Sequence, residues 1–162
     1  MKKLLYWPGH AWLSLPLRWY LGYVFLSACI HKIADPGSFA VDVATYDILP
    51  LSLVNLVAIA LPWTELAAGL LLVVGFRTRA AAWMISGMML MFLIALVIAL
   101  NAGLDISCGC FASQGVQHDD PISMETVTRD IGWLTISLYV VLFDHNAIGV
   151  DRILAKYREI QA

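Results

Sequence analysis

Charge is scarce in this chain. Only 14% of its 162 residues are Asp, Glu, Lys or Arg, and 60% are hydrophobic, whereas about a quarter of an average soluble domain is charged. A water-soluble fold of this length has no means of burying so much apolar surface, and the mean hydropathy of +0.77 points the same way. A basic excess is missing too: ten Lys and Arg face twelve Asp and Glu, for a net charge of -2, so the electrostatic footprint of a nucleic-acid binder is absent. Three cysteines are too few for a disulfide framework, so any cysteine chemistry must be local. Linkers, charge blocks, low-complexity tracts and solenoid repeats are also missing. The chain reads as a single membrane domain over residues 1–162.

What is there is long apolar runs. A spanning helix needs roughly 20 predominantly apolar residues to cross a hydrocarbon core about 30 Å thick. Four stretches qualify: about 16–33, 52–74, 80–100 and 127–143. Pro16 suits a helix start and Arg18 can snorkel to the near interface. The second stretch is interrupted by Pro62 and carries Glu65; the third has no charge. The predicted fold is an all-α polytopic membrane protein, a bundle of four transmembrane helices.

Lys and Arg are retained on the cytoplasmic side of a membrane. Lys2, Lys3 and Arg18 come before or early in the first helix, Arg77 and Arg79 fill the turn after the second, and Arg152, Lys156 and Arg158 follow the fourth. Lys32 and Arg129 alone lie near the other side, whose loops hold Asp35, Asp42, Asp47, Asp105, Asp119, Asp120 and Glu125. Both termini are therefore expected in the cytoplasm and both longer loops outside. Trp7 and Trp12 read as an interfacial aromatic belt. Ile153, Leu154, Tyr157 and Ile160 recur at helical spacing among basic residues, so a helix over about 148–160 is predicted on the inner membrane surface. In the first outer loop Phe39, Val43 and Tyr46 share a helical face, which predicts a short helix lying flat. Lys2 and Lys3 before apolar residues resemble a signal peptide, and Leu26-Ser27-Ala28-Cys29 resembles a lipobox, but Pro8, Gly9, His10 and Arg18 break the run. Retention of the first helix is expected.

Cys108-Gly109-Cys110 follows the third helix and falls, by this topology, at the outer surface, where disulfides persist. Two extended residues span about 7 Å, near the upper limit for a disulfide, so closure needs the tight turn that Gly109 permits. A bond so strained is easily reduced, which is a redox property. The spacing equally admits a structural disulfide, free thiols, or a metal held with His118 and Asp119 or Asp120. Cys29, near the outer end of the first helix, reads either as a third thiol within reach of that pair or as a small core residue. Glu65, near mid-bilayer, must be protonated or paired; intramembrane acids mark functional sites, so a proton path or a quinone contact stands beside a structural hydrogen bond to a carbonyl freed by Pro62. Arg129-Asp130 reads as a paired charge at the mouth of the fourth helix or as an ordinary helix-start acid. His31 and Lys32 end the first helix, with His31 among headgroups. A haem between histidines is not expected, because His31 and His118 fall outside and His10 and His145 inside.

Several runs together resemble a known family. They are Arg18-Trp19-Tyr20-Leu21-Gly22, Lys32-Ile33-Ala34-Asp35-Pro36, Leu49-Pro50, Pro62-Trp63-Thr64-Glu65-Leu66-Ala67-Ala68-Gly69, Gly75-Phe76-Arg77-Thr78-Arg79-Ala80 and Cys108-Gly109-Cys110-Phe111. Over about residues 18–145 the chain is similar to the MauE and DoxX-like redox-associated membrane proteins. Ala112 stands where the family's cysteine motif usually continues with Gly, and Cys29 where relatives often have a small residue. The resemblance implies a four-helix bundle in the bacterial plasma membrane. MauE-type members work beside a thioredoxin-like partner in maturing a periplasmic, disulfide-rich methylamine dehydrogenase, and DoxX-like relatives are linked to quinone-coupled sulfur oxidation. Carried onto this sequence, it supports Cys108 and Cys110 as the redox pair and Glu65 as a helper. The leading expectation is a thiol-disulfide component exchanging electrons with a periplasmic thioredoxin-like protein and the quinone pool. Two others remain: a non-catalytic anchor or accessory subunit of a larger respiratory or dehydrogenase complex, and a quinone or small-molecule site around Glu65, Trp63 and Trp83.

Overall fold

The computed structural model describes residues 9–104, 123–144 and 148–161. Among the described residues six helices follow in order: α1 His10–Ala34, α2 Pro36–Thr45, α3 Leu51–Val74, α4 Thr78–Asn101, α5 Met124–Phe143 and α6 Val150–Gln161. Four of them are long and apolar enough to cross a membrane, the first over Trp12–Ala34 and the others over all of α3, α4 and α5. Less than half of each span is buried within the bundle, and outward positions carry large apolar side chains such as Leu56, Ile59, Ile94 and Leu142. Such faces are stable only with hydrocarbon as the solvent. The protein is a multi-pass, all-helical membrane protein.

The first helix begins at His10 rather than at Pro16, which lies inside it. Tertiary contacts account for the extra turns. The His10 ring stacks on Phe143 at 4.3 Å and its Nδ1 lies 2.6 Å from the Tyr139 hydroxyl, while the Ser14 hydroxyl donates to Asp144 at 3.4 Å. Arg18 does not snorkel to an interface. It is buried, with Nη1 3.4 Å from an Asp144 oxygen and Nη2 donating to the Ile148 carbonyl at 2.7 Å. An internal carboxylate pairs with the guanidinium, in place of the interface that was expected.

Local sequence explains the helix ends. Asp35 caps α2, its side chain accepting from the Ser38 N–H at 3.0 Å, and Pro36 occupies the first helical position, where its missing donor is no loss. On α2 Phe39 is buried, as is Tyr46 just beyond its end, so the predicted apolar face turns onto the bundle. Gly75 ends α3 in the left-handed conformation, φ 75°, and the N–H groups of Gly75 and Phe76 both reach the Leu71 carbonyl. Ser123 caps α5 through the Thr126 N–H.

Two pairs of helices make the bundle. Gly22 of α1 and Gly69 of α3 let those backbones touch: a Cβ on Gly69 would lie 3.2 Å from the Gly22 carbonyl oxygen, the small-residue contact by which membrane helices associate. Between α4 and α5 the buried hydroxyls of Ser86 and Ser137 lie 2.8 Å apart. One apolar cluster joins Leu21, Phe25, Ala68, Leu72, Ala81, Ile85 and Val140 towards the Gly75 turn. A second joins Tyr46 to Leu96, Ala99 and Val127 towards α2, with Leu104 packed against it. No α3 residue belongs to the second cluster. Hence α3 packs against α4 near their shared turn and is parted from it towards α2.

Candidate functional site

The Lys32 ammonium donates to both carboxylate oxygens of Glu65, at 2.9 and 3.1 Å, and the two side chains are only 8% and 9% exposed. Lys32 is two residues from the end of α1 and Glu65 is about 20 Å along α3 at about 1.5 Å per residue. They meet because each Cα–Cβ bond tilts towards the N-terminus of its own helix. On antiparallel neighbours this leans Lys32 down the bundle and Glu65 up it. The ring of Phe39 caps the ammonium, its centroid 4.9 Å from Nζ, which adds a cation–π contact worth more when desolvated.

This pair lines a cavity of about 510 Å³, within the range of small-molecule sites. Its walls are apolar: Val24, Phe25 and Ala28 from α1, Val57 and Leu61 from α3, and a run from Gly87 to Ile98 along α4 that includes Met88, Met89 and Phe92. Leu90, Met91, Ile94 and Ile98 both line the cavity and are exposed on the outside of the bundle. The cleft that parts α3 from α4 therefore opens sideways to the hydrocarbon. Its remaining polar lining is Asp42, Tyr46 and Asp130, with Trp133 beside them.

Arg129 turns back on that lining: its Nε is 3.5 Å from Asp130 Oδ1 and its guanidinium lies 5.0 Å from the centre of the Trp133 ring. The Asp130 carboxylate is fully buried while Arg129 is about one-third exposed, so Arg129 is the screened end of the pair. At the α2 end, burial holds the Tyr46 phenol well above its ordinary range, and the Asp130 and Asp42 carboxylates add to that by opposing a second negative charge. Burial likewise pushes the Asp42 carboxyl up, against the opposing pull of Lys32.

The predicted site residues fare differently. Glu65 is in the site and is paired, by an ammonium from α1 rather than by a carbonyl freed at Pro62. Cys108 and Cys110 lie outside the described residues, as do His118, Asp119 and Asp120. Cys29 is a free, fully buried thiol whose Sγ donates to the Leu26 carbonyl at 3.2 Å. His31 is exposed. Trp63 and Trp83, expected around Glu65, are 58% and 60% exposed and take no part in the cavity; Trp133 is the indole that does. Sequence reading missed Lys32, Asp42 and Tyr46 as site residues. The available signal was two opposite charges, Lys32 and Glu65, each placed in an apolar helix without a partner on that helix.

The sequence model of the methylamine utilisation protein MauE family matches residues 10–143. The chain belongs to the MauE family. The methylamine utilization protein MauE of Methylophilus methylotrophus is 30% identical over 133 residues, covering 82% of this chain and 69% of that one. The protein of the same description from Paracoccus denitrificans is 30% identical over 125 residues, covering 76% and 66%. The chain thus spans about two thirds of the length of these MauE relatives. No solved structure matches it. The region matched by the MauE family takes in α1 to α5, hence the whole cavity, and stops short of α6.

Proposed function

We propose that this MauE family member is a membrane thiol-disulfide component of a bacterial plasma membrane. Cys108 and Cys110 exchange electrons with a periplasmic thioredoxin-like partner, and the Lys32–Glu65 cavity serves the quinone pool. The relatives' role in methylamine utilisation suggests that the thiols serve the maturation of a secreted oxidoreductase. The positions of the basic residues support cytoplasmic termini and a periplasmic α2 end.

The observation that carries this reading is a buried ion pair at the head of a lipid-open apolar cavity. A membrane-soluble quinone has an apolar tail that enters from hydrocarbon and carbonyl oxygens that need donors. The residues present fit that demand: Lys32 Nζ has three donors and spends two on Glu65, Phe39, Phe92 and Trp133 supply flat aromatic surface, and the α3–α4 cleft supplies the entrance. A bound quinone supplies the acceptor for the two electrons and two protons that a dithiol gives up in becoming a disulfide. Lys32 orients and polarises a carbonyl oxygen, and Glu65, the carboxylate beside it, can take up and pass on a proton. In sequence Cys108 follows Leu104 by four residues, and Leu104 packs on the cluster that contains Tyr46.

Thiol trapping tests the reading. Cys110→Ser is expected to accumulate a mixed disulfide through Cys108, or Cys108→Ser through Cys110, because removing the resolving thiol halts exchange at its intermediate. If neither variant captures a partner and the double variant keeps full activity in cells, the cysteines are not a relay and an accessory, non-redox role replaces this one.

A further inference from the structure

Glu65 is far from bulk water along its own helix, and a carboxyl that holds protons for a redox site must exchange them with one face of the membrane. The two directions out of the site differ. Towards the Gly75 turn the residues of the apolar cluster, Leu21, Ala68, Leu72, Ala82 and Ile85, are fully buried and bear no polar side chain; the Ser86–Ser137 hydroxyl pair, Thr78 and the Arg18–Asp144 pair are also buried in that half, and none of them lines the cavity. Towards α2 the cavity is lined by Asp130, Tyr46 and Asp42. These come from two different elements, α5 and the α2 segment, and both carboxylates lie near enough to Tyr46 to act on it electrostatically.

We propose that Tyr46, with Asp130 and Asp42 near it, carries protons between Glu65 and the aqueous face at the α2 end of the bundle. This rests on the reading of the Lys32–Glu65 cavity as the working site and assigns its proton supply to that face.

The charged and titratable groups around the route are Cys29 and Lys32 on α1, Asp42 and Tyr46 on the α2 side, Glu65 on α3, and Arg129 and Asp130 on α5. The wall that α4 contributes between Gly87 and Ile98 has none. Tyr46 is held in its neutral form by burial and by the two carboxylates. A neutral hydroxyl both donates and accepts, so it can take a proton on oxygen as it releases its own, with no net charge left behind. Asp42 is half-buried, on a helix outside the four spans, which suits it to exchange with water. Lys32 is fixed between Phe39 and Glu65 at the inner end of the route.

The test uses the full chain in nanodiscs and rapid-scan infrared spectroscopy after a pH jump. The carboxyl band that disappears in Glu65→Gln identifies Glu65. In Tyr46→Phe the response of that band is expected to slow by at least about tenfold, the low end of what a positioned proton carrier contributes, and Asp42→Asn, on the aqueous side of the route, is expected to slow it less. Equal rates in the wild type and in Asp42→Asn and Tyr46→Phe overturn the route. If Tyr46→Phe does not fold, Asp42→Asn decides alone, and an unchanged rate there overturns it. Binding of decylubiquinone to the unmodified protein is measured separately: absent binding with a slowed Glu65 response removes the quinone reading and leaves the route standing, whereas binding with unaltered response does the reverse.

Discussion

Lys32 and Glu65, separated by 33 positions in sequence, close a two-armed ion pair between the end of one membrane helix and the middle of its neighbour. In a medium of low dielectric each charge is tolerable only because of the other. Removing one partner is therefore expected to destabilise the protein by about 3–5 kcal/mol, less whatever Glu65 recovers by taking up a proton. Lys32→Met and Glu65→Leu should each lower the unfolding midpoint in bicelles. The double variant should restore most of it. A double variant as unstable as the worse single one would mean that the pair is not what holds α1 to α3 there.

The contact of Gly22 with Gly69 sets how closely those helices approach, and so the width of the cavity floor. A Cβ on Gly22 would lie 2.7 Å from Val73 Cγ2 and 3.1 Å from the Gly69 carbonyl oxygen. Gly22→Ala is expected to cost about 1–3 kcal/mol as an overpacked contact, and Val73→Ala in the same chain should recover part of it by vacating the nearer obstacle. No recovery would place the strain at the Gly69 backbone instead.

At the other end α6 is tied to the α3–α4 turn. The Asp151 N–H donates to the Gly75 carbonyl at 3.1 Å, and a Cβ on Gly149 would fall 2.7 Å from that same oxygen. Gly149→Ala should therefore release the α6 segment and hasten its proteolytic removal from nanodiscs, while the four spans stay protected. Arg18→Met should do the same by removing the donor to Ile148. Unchanged cleavage in both variants would show that the lipid surface, not the Gly75 turn, holds α6.

Asp42 gives a pH dependence with a definite sign. Its folded-state titration is raised, by burial foremost, so the folded protein holds that proton more tightly than the unfolded chain does. The associated stability is fully present in acid and is lost as pH rises through the raised titration. Compared with Asp42→Asn, the wild type should be relatively most stable at low pH and lose ground as pH rises, levelling off once the carboxyl is ionised. The opposite slope would show that Lys32 outweighs desolvation at this position.

Much of the fold was legible because the bilayer imposes it. Span length and low charge located four helices, and the shared face of Phe39, Val43 and Tyr46 located α2. The start of α1 was misplaced because Pro16 looks like a helix beginning, and only the tertiary contacts of His10 and Ser14 show that the helix extends past it. Arg18 looked interfacial because its carboxylate, Asp144, is 126 residues away. The site was half legible. Glu65 stood out as a charge in an apolar helix, but its neighbour Trp63 was misleading, since residues two apart on a helix do not face the same way. Lys32 was hidden by its place near a helix end, where a lysine ordinarily reaches headgroups. Pairing of two helices at different depths is a property of their packing and is not written in either segment.

Lys32 and Glu65 are proposed to form the head of a quinone site. Equilibrium binding of decylubiquinone to the full chain in nanodiscs tests it most directly, with Lys32→Met compared against the wild type under conditions where both are folded. The account predicts saturable binding that weakens by at least about tenfold in Lys32→Met, the loss expected for a hydrogen bond from a charged donor. Binding of equal strength in the two proteins, or none that saturates in the wild type, would contradict it.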